Sequence, residues 1–398
     1  MKPYEKFVEN ILGAVRSSQG KDPLAATAII QEALTAAGLM GGAASPASAR
    51  PAAPAQDKAA SFVDLNPPPA WAAKFRRQTA QPDGTNTDTN TGAGTAMPDW
   101  VARFTSNLPG QGAAGSKAID ATTHGPGQFL EGSFSNEAGT RNYRLYVPRK
   151  PASGPRPLLL MLHGCKQNPV DFAAGTTMNL LAEEQGCLVL YPEQAAHANH
   201  SQCWNWFEGA HQQRGAGEPS LIAGMTRQVL REHGGDADRV FVAGLSAGGA
   251  MAAVMAASYP ELYAAAGVHS GLPVGAAHDL MSALNAMKGA RKKPAAAASA
   301  RKVPTIVFHG DRDATVHPSN GDAVYGQFAQ AAGVKETAEN GNGYTRSVAR
   351  DASGQVVAEH WLLHGAGHAW SGGSTAGSYA TSSGPNASRE MLRFFLQQ

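Results

Sequence analysis

The chain has 398 residues, too many for one ordinary core and few for three, so one large or two modest domains are expected. Lys plus Arg number 33 against 31 Asp plus Glu, and the net charge of +2 gives no field able to gather nucleic acid, so no nucleic-acid partner is expected. No run approaches the roughly 18 apolar residues of a membrane span, and the three cysteines, Cys165, Cys187 and Cys203, are too few for a disulfide scaffold and match no zinc spacing.

Residues 1–40 read as a helical hairpin. Tyr4, Phe7, Val8, Ile11, Leu12 and Val15 recur at three and four residues and so share one face. A second helix over 24–37 has Asp22 as N-cap, Pro23 in its first turn and Gly38 as C-cap. Lys2, Glu5, Lys6, Glu9 and Arg16 interrupt the apolar positions, so no cleavable signal peptide is recognisable. Residues 41–125 lose periodicity and fill with Ala, Pro, Gly, Thr and Asn. Such a stretch buries too little apolar surface to offset the entropy of ordering it, and it reads as a linker. Trp71 with Phe75 and Trp100 with Phe104, each at helical spacing, read as short tethering helices within it.

From residue 126 to 398 the texture is that of a compact α/β domain. Runs at 129–134 and 141–147 flank a turn-like Asn136 to Gly139 and suggest a β-hairpin. Apolar runs follow at 158–162, 188–191, 240–243, 264–268 and 303–308, with helical stretches between most of them. Continuous rather than alternating apolar strands imply burial on both faces, hence a mostly parallel sheet flanked by helices. A late strand over 355–363 and a closing helix over 387–396 complete the domain. Between the 264–268 and 303–308 runs, 275–302 is an insertion with a helical piece (Leu280, Leu284, Met287) and a basic, Ala-rich stretch around Arg291.

Gly244-Leu245-Ser246-Ala247-Gly248 fits G-x-S-x-G, directly after a buried strand and at the head of a helix of small residues. That strand-turn-helix context marks a nucleophile elbow with Ser246 as nucleophile. A serine hydroxyl needs a base to take its proton as it attacks. His368, in a Gly-rich loop after the late strand, is the best placed, while His360 and His364 read as structural histidines of that strand. The orienting acid should come from another strand end between serine and histidine. Asp311 and Asp313 both fit, and spacing does not choose between them; the other, with Arg312, should cap or brace its loop. The oxyanion hole requires two amides. Ala247, after the nucleophile, supplies one; Cys165, in the turn His163-Gly164-Cys165 after the 158–162 strand, supplies the second. Trp204, Trp206 and Trp370, with Asn205 among them, lie near these motifs and are candidate substrate-binding walls. The chemistry needs no cofactor and no metal.

With His163-Gly164-Cys165, Cys203-Trp204-Asn205-Trp206-Phe207, the elbow, His309-Gly310-Asp311-Arg312-Asp313 and Gly367-His368-Ala369-Trp370 in this order, residues from about 129 onward resemble the poly(3-hydroxybutyrate) depolymerase family of esterases. Feruloyl and acetylxylan esterases share much of the pattern. The resemblance implies an α/β-hydrolase fold, Ser246, Asp313 and His368 as catalytic triad, a Cys165–Cys203 disulfide, and a polyester or small ester as substrate. Where the family commonly has Pro, this chain has Ser371, which should loosen the histidine loop. The resemblance points to an extracellular location; the missing signal peptide leaves a cytoplasmic one open. Carbohydrate-linked ester hydrolysis is the alternative activity. A non-catalytic polymer-granule or surface-binding protein is the alternative of another class. Oligomeric state is not legible.

Overall fold

The computed structural model describes residues 125–289, 303–329 and 335–398. The N-terminal hairpin and the linker with two tethering helices expected from the sequence, and the basic part of the 275–302 insertion, fall outside the described residues.

A ten-stranded sheet runs in the order β1-β2-β4-β3-β5-β6-β7-β10-β9-β8. It starts with the expected hairpin, β1 (Gln128–Asn136) and β2 (Gly139–Val147), in register from Asn136↔Gly139 to Gln128↔Val147. The side chain of Asn136 accepts the Ala138 amide at 2.8 Å, which fixes the two-residue turn. The central strands are β3 (Arg156–Leu162), β4 (Leu188–Pro192), β5 (Gly235–Leu245), β6 (Ala265–His269), β7 (Thr305–Gly310) and β10 (Val356–Leu363), each parallel to its neighbours within this group. A second hairpin, β8 (Lys335–Gly341) and β9 (Tyr344–Arg350), adds antiparallel to β10. The sheet is thus parallel at its centre and antiparallel at both margins.

Burial on both faces is visible within single strands. In β3, Leu158, Leu160 and Leu162 join one core cluster and Leu159 and Met161 the other; in β5, Val240 and Val242 oppose Phe241 and Ala243 in the same way. Helices cover the two faces. α1 (Pro169–Thr176) starts at Asn168, whose side chain accepts the Val170 and Asp171 amides, with Pro169 in the first turn. α2 (Met178–Gln185), α3 (Gly217–Glu232), α4 (Ala247–Ser258), α5 (Leu280–Met287) and α6 (Ser319–Ala329) follow. α7 (Ala387–Phe395) buries Met391, Leu392, Phe394 and Phe395, and Phe395 stacks on Phe241 with centroids 5.1 Å apart.

The second hairpin is tied to the body by a buried carboxylate. Glu359 of β10 receives Arg346 of β9 at 2.8 Å, Arg393 of α7 at 2.7 Å and the Trp361 indole at 3.1 Å. Burial pushes the Glu359 carboxyl up, but the two guanidinium groups outweigh it and hold it below the usual range. A carboxyl depressed on folding stabilises the native state above its unfolded pKa, and that stabilisation disappears as pH falls through the folded value. Glu359→Gln should therefore cost about 2–4 kcal/mol near neutral pH. The cost should shrink as pH drops below about 4. Urea unfolding of both proteins at pH 7 and pH 3.5 measures this; an equal difference at the two values would refute it.

Candidate active site

Ser246 sits between β5 and α4 at φ 58° and ψ −120°, a conformation that side-chain-bearing residues rarely adopt. Glycine is obligatory around it. A Cβ on Gly248 would run into the carbonyls of Leu162 and His163, and one on Gly244 would lie 2.7 Å from the Leu162 carbonyl. The elbow is therefore pressed against the end of β3, which carries the turn 163–165. A Cβ on Gly164 would lie 3.5 Å from that of Ser246, so this turn faces Ser246.

The turn is held so that one amide points away from its supports. The Gly164 carbonyl meets His163 Nδ1 at 2.8 Å and accepts the Gln167 amide at 3.3 Å. His163 Nε2 accepts the Gln194 amide at 3.1 Å, so its proton resides on Nδ1 and is donated to Gly164. Burial pushes the His163 pKa down to about 4, which keeps the ring neutral. Because the peptide is planar and trans, the Cys165 N–H points opposite to that carbonyl, and no acceptor among the described residues takes it. Cys165 is disulfide-bonded to Cys203. Behind the bridge, Glu218 receives Gln194, the Asn205 backbone amide at 2.8 Å and the Asn205 side-chain amide at 2.8 Å, with Arg141 at 3.5 Å. Cys187 is a free, buried thiol, pushed up to about 11 by burial.

Asp313 and His368 meet at 2.7 Å, Oδ2 to Nδ1. Asp313 follows β7, and its other oxygen accepts the Thr315 and Val316 amides at 2.9 and 2.8 Å. Burial raises the carboxyl's pKa, but the His368 bond, the Val316 amide and His309 outweigh it and hold it below the usual range. His309, buried in β7, donates Nε2–H to the Val316 carbonyl at 2.8 Å and stands 3.5 Å from Asp313 Oδ2. The carboxylate therefore fixes Nδ1–H on His368 and leaves Nε2 as the ring nitrogen able to accept a proton.

The other aspartate of the motif has a different task. Asp311 accepts the Gly365 amide at 2.7 Å and pairs with His364 at 3.2 Å, so it braces the histidine loop through His364 rather than Arg312. His364 is also bonded to Thr345 at 2.9 Å, and His360 is buried with its ring against Tyr325.

The four expected wall residues are all buried. Trp204 and Trp370 are 0% and 1% exposed, and their indole N–H groups donate to the His163 carbonyl at 3.1 Å and to Ser388 at 3.0 Å. Asn205 is consumed by Glu218, and by Asn199 at 2.8 Å. Trp206 is buried against Phe207. These four residues pack behind the loops rather than on an open surface. Ser371 also departs from expectation. It is buried, its amide donates to His269 Nε2 at 3.1 Å and its hydroxyl to the Pro385 carbonyl at 2.7 Å, so it anchors the histidine loop that it was expected to loosen.

Among the described residues no cluster of His, Cys, Asp or Glu is arranged to hold a metal ion, and no helix is long and apolar enough to cross a membrane.

The parallel sheet, the elbow after β5, an acid after β7 and a histidine after β10 define an α/β-hydrolase. The acetyl xylan esterase from Aspergillus awamori shares this fold, with a TM-score of 0.52 at 22% identity over 68% of this chain and 100% of that one. The chain belongs to the family described as Esterase PHB depolymerase, whose sequence model matches residues 141–350. Among curated relatives, poly(3-hydroxyalkanoate) depolymerase C of Paucimonas lemoignei is 32% identical over 59% of this chain, and the match spans 60% of that protein's own length. Probable acetylxylan esterase A of Aspergillus fumigatus is 29% identical over 60% of this chain and 67% of its own. Feruloyl esterase B of Neurospora crassa is 37% identical over 35% of this chain and 46% of its own.

Proposed function

We propose that this protein is a serine esterase that hydrolyses poly(3-hydroxybutyrate)-type polyesters or their oligomers through an acyl-enzyme. The observation that carries the reading is the Asp313–His368 bond at 2.7 Å, found together with a strained serine at an elbow in a chain of this esterase family. Ser246 Oγ attacks the ester carbonyl as His368 Nε2 takes its proton. The amides of Cys165 and Ala247 hold the oxyanion. Collapse of the tetrahedral intermediate breaks the ester C–O bond, and the leaving alkoxide takes the proton back from His368. Water then attacks the acyl-enzyme and gives a proton to His368; collapse breaks the acyl C–Oγ bond, Ser246 Oγ takes that proton from His368, and the acid leaves. Asp313 stays ionised throughout and stabilises the imidazolium.

The test joins labelling with substrate choice. A p-nitrophenyl phosphonate should place one phosphonyl group on Ser246, located by peptide mass spectrometry, and block turnover of 3-hydroxybutyrate oligomers and amorphous polymer. Labelling elsewhere, with activity retained, would overturn the site. Turnover confined to acetylated xylan or feruloyl sugars would move the substrate to carbohydrate-linked esters and leave the triad in place.

A further inference from the structure

His269 touches both halves of the catalytic machinery from one buried position at the end of β6. Its carbonyl accepts the Ser246 amide at 2.9 Å. Its ring Nε2 accepts the amide of Ser371, three residues beyond His368, at 3.1 Å. Since an amide only donates, Nε2 must be unprotonated, and Nδ1 carries the proton toward Ser270 Oγ, 3.1 Å away. The ring is stacked between Phe308 and Trp370, with centroids at 5.8 and 5.1 Å, and is fully buried. Stacking alone asks only for a planar ring, and phenylalanine would supply it without burying polar nitrogens. What histidine adds is an acceptor for a buried amide that would otherwise be orphaned. Burial, the first cause, together with the neighbouring His309 and His368, pushes its pKa down to about 3, so the acceptor persists wherever the triad works.

We propose that His269 is a positioning residue that couples the nucleophile to the base: through its carbonyl and its ring, one residue sets the register of the elbow against the histidine loop. This rests on the assignment of Ser246 and His368 under the proposed function. Misplacement of reacting groups by about 1 Å costs on the order of 100-fold, so the bond should be visible in kcat.

The experiment compares wild type, Ser246→Ala, His269→Phe, His269→Gln, Ser371→Ala, Ser371→Pro and the His269→Phe/Ser371→Pro pair on p-nitrophenyl butyrate. His269→Phe keeps the stack but removes the acceptor, and should lower kcat roughly 10- to 100-fold with KM within about twofold. Gln, whose Oε1 stands in for Nε2, should restore most of the loss. Ser371→Pro removes the donor and should match His269→Phe, while Ser371→Ala, which keeps the amide, should lose less. The pair should be no worse than the worse single variant, because both break the same bond. Ser371→Pro also tests the bond should His269→Phe fail to fold. Wild-type kcat in His269→Phe, or losses that multiply in the pair and are not rescued by Gln, would overturn the coupling. Activity retained by Ser246→Ala would instead overturn the nucleophile assignment.

Discussion

Ser246→Ala should lower kcat for ester hydrolysis by about 10⁶-fold and leave stability unchanged, whereas Ser246→Gly should lose the same activity and gain about 1 kcal/mol of stability. The two effects have separate causes. Without the hydroxyl no acyl-enzyme forms, and only the oxyanion amides and substrate binding remain, worth about 10³- to 10⁴-fold over water. The Ser246 side chain caps no amide of α4, so alanine removes no helix support. Alanine also keeps the Cβ that makes φ 58° and ψ −120° costly, and only glycine relieves it. Turnover of p-nitrophenyl butyrate and thermal melting of the three proteins measure both. An alanine variant within tenfold of wild type would remove Ser246 from the chemistry, and a glycine variant no more stable than alanine would remove the strain.

The site was legible in the sequence where local pattern and chemistry coincide. The elbow around Ser246 was legible because its flanking glycines stand where a Cβ would meet the Leu162 and His163 carbonyls, and the β3 and β5 strands because burial on both faces leaves continuous apolar runs. The acid was half legible: Asp311 and Asp313 share a loop, and only the bond of Asp313 to His368 against that of Asp311 to His364 separates them. The β8–β9 hairpin was missed because Lys335–Gly341 is exposed along its whole length and shows no apolar alternation; the Gly341-Asn342-Gly343 turn was the available signal. Aromatic residues beside catalytic motifs suggested substrate walls, yet Trp204 and Trp370 are core. Their indoles bond to His163 and to Ser388, contacts between residues 41 and 18 positions apart that no local spacing encodes. For the same reason the Glu218 network and the bridging role of His269 are invisible before the chain is folded.

Asp313→Asn should lower kcat by about 10⁴-fold with little change in fold, and Asp311→Asn by no more than a few-fold. The Asp313 oxygen that accepts the Thr315 and Val316 amides has no alternative partner of the same kind, so the asparagine carbonyl will occupy it. Its NH₂ then faces His368 Nδ1 and donates where the carboxylate accepted. His368 must answer by moving its proton to Nε2, where it points toward the serine as a donor and takes no proton from it. The loss is therefore one of tautomer, with the backbone turn left standing. The lost negative charge adds to it, since nothing then stabilises the imidazolium. Asp311 is exposed, bonded to the Gly365 amide and His364, and its replacement leaves the Asp313–His368 pair untouched. Steady-state kinetics of both variants on one short ester decide the matter. Comparable losses at the two positions would mean that the loop, rather than the carboxylate facing His368, is what catalysis requires.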